Sequence, residues 1–128
     1  MDSNLTQFYQ NYISCLNNRR LQDLDLFVNE DLTYNKKAMH LKDYQNLLAQ
    51  NFKDIPDLYF EIGLLVANED TIACRLNFNC TPAGEFMGVV VNGRRVSFSE
   101  HVFYKLVNGK ISEVLSLIDR EAIRDQID

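Results

Sequence analysis

A glutamate on an apolar strand face is the first side chain in this sequence that could do chemistry. Glu100 falls on the same face of a predicted strand as Phe98 and Val102, because side chains alternate between the two faces of a strand. A carboxylate in that position must be paired with a partner or must face a pocket. Burial in a pocket raises the pKa of a carboxyl group and makes its carboxylate a better proton acceptor. Glu100 is therefore a candidate for acid–base catalysis.

The neighbouring residue, His101, is a second candidate. It alternates with Ser99 on the polar face of the strand, and counting back from a predicted turn at Asn108-Gly109 places it opposite Leu115 or Ser116. The strand register and any β-bulge decide whether His101 lines a pocket or lies on an exposed or dimer-forming face. We keep both alternatives open at this point.

Other catalytic chemistries find little support in the residue pattern. The two histidines and three cysteines lack the spacing of metal ligands, and Gly84 and Gly88 lack the strand–loop–helix context of a phosphate-binding loop. Cys74 and Cys80 belong to one predicted strand, where they would lie about 20 Å apart, too far for a disulfide. We expect reduced cysteines, no metal ion and no cofactor.

Length and charge narrow the possible functions further. The chain has 128 residues, with 46% hydrophobic and 24% charged residues, which is typical of one globular domain spanning residues 1–128. Its net charge of −5 argues against nucleic acid and anionic membrane as partners, because both require a basic surface. The sequence contains no run long enough to span a membrane and no signal peptide. With reduced cysteines, this predicts a cytoplasmic protein.

The elements that must position these residues follow a simple order. Apolar residues at helical spacing predict a helix over 5–16, a short helix over 21–28 and a third helix over 41–52. A period of two then predicts strands over 58–67, 72–80, 96–106 and 111–119. Residues 81–92 read as irregular, 32–35 as a short strand, and Arg120 begins a short terminal helix.

Helices followed by antiparallel strands indicate an α+β domain, with helices packed on one face of a curved sheet. Three helices cannot cover both faces of a long sheet. The covered face would enclose a cone with an apolar interior, and the uncovered face would form a homodimer interface. We therefore expect a small hydrophobic ligand inside the cone and a second copy of the chain on the outside.

An ordered set of short motifs resembles the SnoaL-like polyketide cyclase (ester cyclase) family. The motifs are Gly84-Glu85-Phe86-Met87-Gly88, Gly93-Arg94-Arg95-Val96 with Phe98, and Asn108-Gly109-Lys110-Ile111 with Glu113 and Asp119. They occur in the family's order and with nearly its spacing from Cys80 to Asp119. The resemblance implies the cone of the nuclear-transport-factor-two-like superfamily, a cystatin-like α+β barrel, which agrees with the order of elements.

The resemblance also implies a reaction. The family's enzymes close a ring by an intramolecular aldol reaction without metal or cofactor, and Asp119 matches the family's catalytic acid–base position. It ends a strand that contains Leu115 and Leu117. An aspartate just before a helix is also a natural N-cap, so a purely structural role for Asp119 is the alternative.

Two departures from the family pattern bear on the function. Pro82 stands where the family has a histidine, and Leu115 stands where it has a tryptophan. The resemblance predicts a cyclase or isomerase that acts on a small apolar carbonyl compound. Because both changes remove hydrogen-bonding capacity, the alternative is a non-catalytic module. Such a module would bind a small hydrophobic ligand or serve as a dimeric scaffold. The residues expected to line the pocket are Tyr34, Tyr59, Phe86, Met87, Tyr104 and Leu115.

Overall fold

A computed structural model describes residues 3–127. Met1 and Asp2, on which the expectation about a signal peptide partly rests, lie outside the described residues, as does Asp128. The helices are α1 (Ser3–Asn17), a 3-10 helix (Leu21–Leu26), α2 (Leu41–Asp54) and α3 (Arg120–Ile127). None of the helices within the described range is long and apolar enough to cross a membrane.

The domain is built on one curved sheet of six strands. Its strands are β1 (Val28–Tyr34), β2 (Lys37–His40), β3 (Glu61–Asn68), β4 (Thr71–Cys80), β7 (Val96–Val107) and β8 (Lys110–Ile118), in the spatial order β2-β1-β8-β7-β4-β3. A separate hairpin joins β5 (Glu85–Phe86) to β6 (Val89–Val90), in the segment that the sequence pattern presented as irregular.

The predicted α+β class is confirmed, with two corrections to its details. The sheet of the described residues is open, with β2 and β3 at its edges, and is not a closed barrel. It is also not fully antiparallel, because β1 runs parallel to β8. That pairing joins the helical half of the chain to its last strand, and the period-two pattern carries no information about strand direction.

Amphipathic helices cover the concave face of this sheet. Tyr9, Tyr12 and Leu16 of α1 are buried, as are Tyr44 and Leu48 of α2. These residues follow the three- and four-residue spacing that brings side chains to one side of a helix. The apolar interior of the domain therefore lies between the two helices and the sheet.

Both ends of α2 follow from local sequence. At its start His40 and Asp43 form a capping box, in which the main-chain N–H of His40 donates to Oδ2 of Asp43 at 3.0 Å. At its end Pro56 follows after Ile55, and proline cannot continue a helix. These boundaries fix which residues α2 turns towards the sheet.

Turns and alternation set the register of the long strands. The predicted Asn108-Gly109 turn is confirmed, and both residues have positive φ, 54° and 79°, as a two-residue type I′ hairpin requires. In β4 every second residue from Ile72 to Cys80 is buried. The three cysteines of the chain are unpaired and buried.

A β-bulge in β8 changes which side chains face inward. Leu106 pairs with Ile111, but the preceding residue, Lys105, pairs with Glu113. Ser112 is therefore an extra residue with no partner in β7, as in other bulges. Ile111 is buried on the concave side, and beyond the bulge the buried side continues with Val114. Even-numbered residues of β8 thus face the interior after Ser112.

Candidate functional site

An apolar cavity of about 220 Å³ lies within the cone. Its walls come from β1, α2 and the linker that follows, from strands β4, β7 and β8, and from the β5–β6 hairpin. Two polar side chains, Asn51 and Glu100, and the phenol of Tyr34 contribute to an otherwise apolar lining. The apolar residues are Leu47, Ile55, Leu58, Phe60, Phe78, Phe86, Met87, Phe98 and Ile118.

Four phenylalanine rings make up one continuous wall of this cavity. The ring centroids of Phe60 and Phe78 lie 5.3 Å apart in an edge-to-face arrangement, and Phe78 stacks on Phe98 at 5.1 Å. Phe98 in turn contacts Phe86 at 5.6 Å. Phe86 belongs to the β5–β6 hairpin, so the hairpin is held over the cavity by this aromatic contact.

Glu100 is the acidic group of the cavity. It lies on β7 between Leu76 of β4 and Ile118 of β8, and is therefore surrounded by apolar side chains on the concave face. Burial raises the pKa of its carboxyl group, and a hydrogen bond from Ser116 offsets part of that rise. The expectation that Glu100 faces a pocket agrees with this placement.

Ser116 fixes one oxygen of that carboxyl group. Its Oγ donates a hydrogen bond to Oε2 of Glu100, while its main-chain N–H donates to Oδ1 of Asn35 at 2.7 Å. No hydrogen bond reaches Oε1 of Glu100 from the residues that the structure describes. One carboxyl oxygen is held by the protein, and the other is left for a ligand.

A smaller chamber of about 60 Å³ lies beyond Glu100 and shares Tyr34, Asn51 and Glu100 with the main cavity. Three further tyrosines line it: Tyr12, Tyr44 and Tyr104. The hydroxyls of Tyr12 and Tyr44 lie 2.6 Å apart, and that of Tyr104 is 3.0 Å from the hydroxyl of Tyr9. Burial raises the pKa of all four phenols above the usual range, so they remain hydrogen-bond donors.

The raised pKa of Glu100 predicts how the stability of the fold depends on pH. A folded state that holds the proton more tightly than the unfolded state loses stability as pH rises from the ordinary glutamate pKa, here 4.5, through the folded value. We expect the stability of Glu100→Gln relative to wild type to increase with pH over that window. Urea unfolding of both proteins at a series of pH values measures this difference, and a difference independent of pH would contradict it.

The structure brings five of the predicted site residues together. Glu100, Tyr34, Phe86 and Met87 line the main cavity, and Tyr104 lines the inner chamber. Burial raises the pKa of Tyr34, whose ring lies 6.0 Å from that of Tyr44. The main cavity and the inner chamber together therefore contain a carboxyl group and several phenol groups.

Asp119 is placed elsewhere. Its side chain is exposed, and its Oδ1 accepts a hydrogen bond from the main-chain N–H of Ala122 at 3.1 Å, which is the contact of an N-cap at the start of α3. The cavity is lined by the preceding residue, Ile118, and not by Asp119. Its catalytic role remains a prediction.

The other predicted site residues lie on outer surfaces. His101 is exposed on the convex face, where Arg75 donates to its Nε2 at 2.7 Å. Leu115 pairs with Phe103 on the same convex face, because the bulge at Ser112 shifts the alternation of β8. Tyr59 is 62% exposed. None of these three contributes to the lining of the cavity.

Sequence reasoning missed two polar residues of the site. Asn51 occupies a position of the apolar stripe of α2, four residues after Leu47 and four before Ile55. Glu100 is identified as a polar residue on the apolar face of a strand. Asn51 could have been found by the same criterion, as a polar residue on the apolar face of a helix. Ser116 could not be found in this way, because its face depends on the bulge at Ser112.

No cluster of three or more histidine, cysteine, aspartate or glutamate side chains among residues 3–127 is arranged to hold a metal ion. The polar groups that the two spaces offer are Glu100, Asn51 and the tyrosine hydroxyls. These groups can donate and accept protons and hydrogen bonds in surroundings from which aromatic rings exclude much of the water.

Comparison with solved structures finds proteins that are similar over nearly the whole chain. A SnoaL-like polyketide cyclase from Agrobacterium tumefaciens strain C58 is 41% identical and superposes with a TM-score of 0.96, covering 97% of this chain and 98% of that one. AclR from Streptomyces galilaeus is 23% identical, with a TM-score of 0.80 and coverage of 99% and 97%. TsrD from Streptomyces laurentii is 16% identical, with a TM-score of 0.86 and coverage of 99% and 96%.

The last two likenesses show a shared fold only, because their sequence identity is low. A search of curated proteins found no match. The model of the SnoaL-like polyketide cyclase family, however, matches residues 6–127, which includes every element from α1 to α3. This match and the Agrobacterium relative lead to one conclusion: the chain belongs to the SnoaL-like polyketide cyclase family.

Proposed function

We propose that this protein is a proton-transfer enzyme, a cyclase or isomerase, acting on a small neutral apolar carbonyl compound. The observation that carries the proposal is Glu100, a largely buried carboxyl group with one oxygen held by Ser116 and the other open to an apolar cavity. Perturbed carboxyl groups in apolar pockets are typical of acid–base catalysts. Membership of a cyclase family is consistent with this chemistry.

The proposed step is the removal of a proton from a carbon next to a carbonyl group. The C–H bond breaks, its proton passes to Oε1 of Glu100, and the electron pair of that bond moves towards the carbonyl oxygen. In a cyclase the resulting enolate carbon then forms a bond to a second carbonyl carbon of the same molecule, the π bond of that carbonyl breaks, and its oxygen takes up the proton that Glu100 holds. Raising the pKa of Glu100 strengthens it as a proton acceptor.

A two-ring ketone tests the proposal directly. 2-Tetralone is neutral and aromatic, and its α-protons exchange slowly in neutral D₂O. We expect the wild-type protein to accelerate deuterium exchange, measured by NMR, and the corresponding hydrocarbon, tetralin, to suppress it by occupying the cavity. Binding of both compounds without faster exchange would instead support the non-catalytic ligand-binding module and would overturn the proposed catalysis.

Asp119 is the competing candidate for the base, and two substitutions separate its roles. Asparagine caps a helix about as well as aspartate does, whereas alanine costs about 1 kcal/mol. We expect Asp119→Asn to retain both stability and the rate of 2-tetralone exchange, and Asp119→Ala to lose about 1 kcal/mol in urea unfolding. A large loss of exchange in Asp119→Asn, with its fold intact, would assign the base to Asp119.

We also propose that the protein is a homodimer formed through the convex face of the sheet. Four large apolar side chains on that face are more than half exposed: Leu117 (74%), Leu64 (62%), Val66 (56%) and Phe103 (54%). Together with Ala73 and Leu115 they form the convex patch. Adjacent strands are about 4.8 Å apart, so a patch spanning β3, β4, β7 and β8 is about 14 Å wide.

Polar residues surround this apolar centre. The pairing places Thr71, Lys105 and Glu113 side by side beyond one end of the convex patch, and Asn77 beyond the other. An apolar centre with a polar rim is the usual arrangement of a protein interface. Within the patch, the hydrogen bond between Arg75 and His101 satisfies polar atoms that dimer formation would bury.

We propose a second copy as the partner, because a two-fold axis through the convex patch brings the apolar centre of one copy onto that of the other. An open groove of about 300 Å³ between Leu64, Val66 and Phe103 provides room for side chains of the partner. Light scattering at micromolar concentration is expected to give twice the 14.9 kDa chain mass. A monomer under those conditions would overturn the dimer.

A further inference from the structure

Asn51 occupies a position where the helix pattern calls for an apolar residue. Leu47, one turn before it on α2, and Ile55, which directly follows α2, both line the main cavity, as Asn51 itself does. An amide among aliphatic side chains lowers the stability of the fold unless it finds a hydrogen-bond partner. The position therefore raises the question of what Asn51 binds.

Nothing in the described part of the chain binds the Asn51 side chain. Two of the three other amides on α2 are engaged: that of Gln45 donates to the main-chain oxygen of Leu21 at 2.9 Å, and that of Gln50 donates to Asp54 at 2.9 Å. The third, Asn46, is exposed. The main-chain oxygen of Asn51 accepts from the N–H of Ile55. Within residues 3–127 its side-chain amide has no partner and faces the cavity.

Asn51 and Glu100 lie where the main cavity meets the inner chamber, because both residues line both spaces. Each presents an unengaged group there, the amide of Asn51 and Oε1 of Glu100. An amide N–H is a donor and a carboxylate oxygen is an acceptor. Together they match a carbonyl oxygen and the proton on the adjacent carbon.

From this pairing we infer that Asn51 donates a hydrogen bond to the carbonyl oxygen of the substrate while Glu100 removes the α-proton. The substrate is a neutral aromatic ketone of one or two rings. The inference rests on the proposed function. As the C–H bond breaks and Glu100 takes the proton, negative charge develops on the carbonyl oxygen. A donor already aimed at that oxygen stabilises the charge without reorganisation.

The walls of the cavity define the class of substrate. The wall formed by Phe60, Phe78, Phe86 and Phe98 suits a flat ring. A volume of about 220 Å³ is below the 300–1,000 Å³ typical of sites for drug-sized ligands. No lysine or arginine contributes to the lining, and Glu100 repels anions. A carboxylate substrate is therefore disfavoured, and a small uncharged ketone fits.

The test compares a ketone with the hydrocarbon of the same shape. We expect the wild-type protein to bind 2-tetralone about tenfold more tightly than tetralin in calorimetric titrations, because one hydrogen bond contributes about that factor. Asn51→Leu keeps the size of the side chain and removes the donor. It should abolish the ketone preference, leave tetralin affinity within about twofold, and lower kcat for deuterium exchange about a hundredfold.

A matched control is available on the same helix. Asn46→Leu removes the same amide from an exposed position that lines neither space, and should preserve the ketone preference. A preference that survives in Asn51→Leu, or its absence in the wild type, would overturn the role of Asn51. A preference that depends on Asn51 in a protein that does not accelerate exchange would support the binding role and reject the proposed catalysis.

Discussion

Replacing Glu100 with glutamine is expected to lower the rate of 2-tetralone deuterium exchange by a factor of about 10²–10⁴, the usual contribution of a positioned acid–base group. Glutamine has nearly the size and shape of glutamate, and its side-chain oxygen can still accept the hydrogen bond from Ser116. The substitution removes the proton acceptor while the aromatic wall and the Asn51 amide stay in place. NMR measurement of exchange in D₂O, with tetralin affinity determined in parallel, separates lost chemistry from lost binding.

Glu113→Gln is the appropriate control for this experiment. Glu113 lies on β8, opposite Lys105 and outside the cavity, so its substitution changes the net charge by the same amount. We expect its exchange rate to stay within about twofold of the wild type. If Glu100→Gln retained the wild-type rate and tetralin affinity, Glu100 would not be the base.

The second large effect is expected at the convex face. Phe103→Glu places a carboxylate within the convex patch, at a position that is 54% exposed. In the monomer this position is largely in water, so the fold should tolerate the change. In the proposed dimer the carboxylate would be buried between cross-strand neighbours, Ala73 and Leu115, that offer it no cation, and burying a charge without a partner costs several kcal/mol. We expect the dissociation constant of the dimer to increase at least a hundredfold in sedimentation equilibrium experiments.

Leu26 offers a control with the same chemistry in a different place. It is 61% exposed on the 3-10 helix, away from the convex patch. Leu26→Glu should therefore leave the dissociation constant unchanged. Equal weakening by both substitutions would indicate a general effect of added charge, and no weakening by Phe103→Glu would exclude the convex patch as the interface.

Much of the fold could be predicted from the sequence because each major element carries its own periodicity. The stripe of α2 and the alternation of β4 and β7 are local patterns, and the Asn108-Gly109 turn fixes one hairpin. Strand direction between distant segments is not a local property, which is why the parallel pairing of β1 with β8 was not foreseen.

The candidate site was predictable to the extent that it depends on local pattern. Glu100 was identified because it is the polar residue on an apolar face, and the cavity includes it. Leu115 is expected in the pocket because it stands where the family has a tryptophan. Counting residues back from the turn without a bulge places His101 opposite Leu115 or Ser116. With the extra residue at Ser112, His101 pairs instead with Leu117. The bulge has no clear signature in the residues around it.

The unpaired Ser112 has a consequence for how the length of β8 can change. On either side of it, Leu106 pairs with Ile111 and Lys105 pairs with Glu113, so the inward and outward residues of the two strands already match across the bulge. A single-codon deletion of Ser112 would therefore remove the bulge and leave every other residue of β8 opposite its present partner in β7. In this fold, one strand can lose a residue without exchanging the lining of the cavity with the surface of the proposed interface.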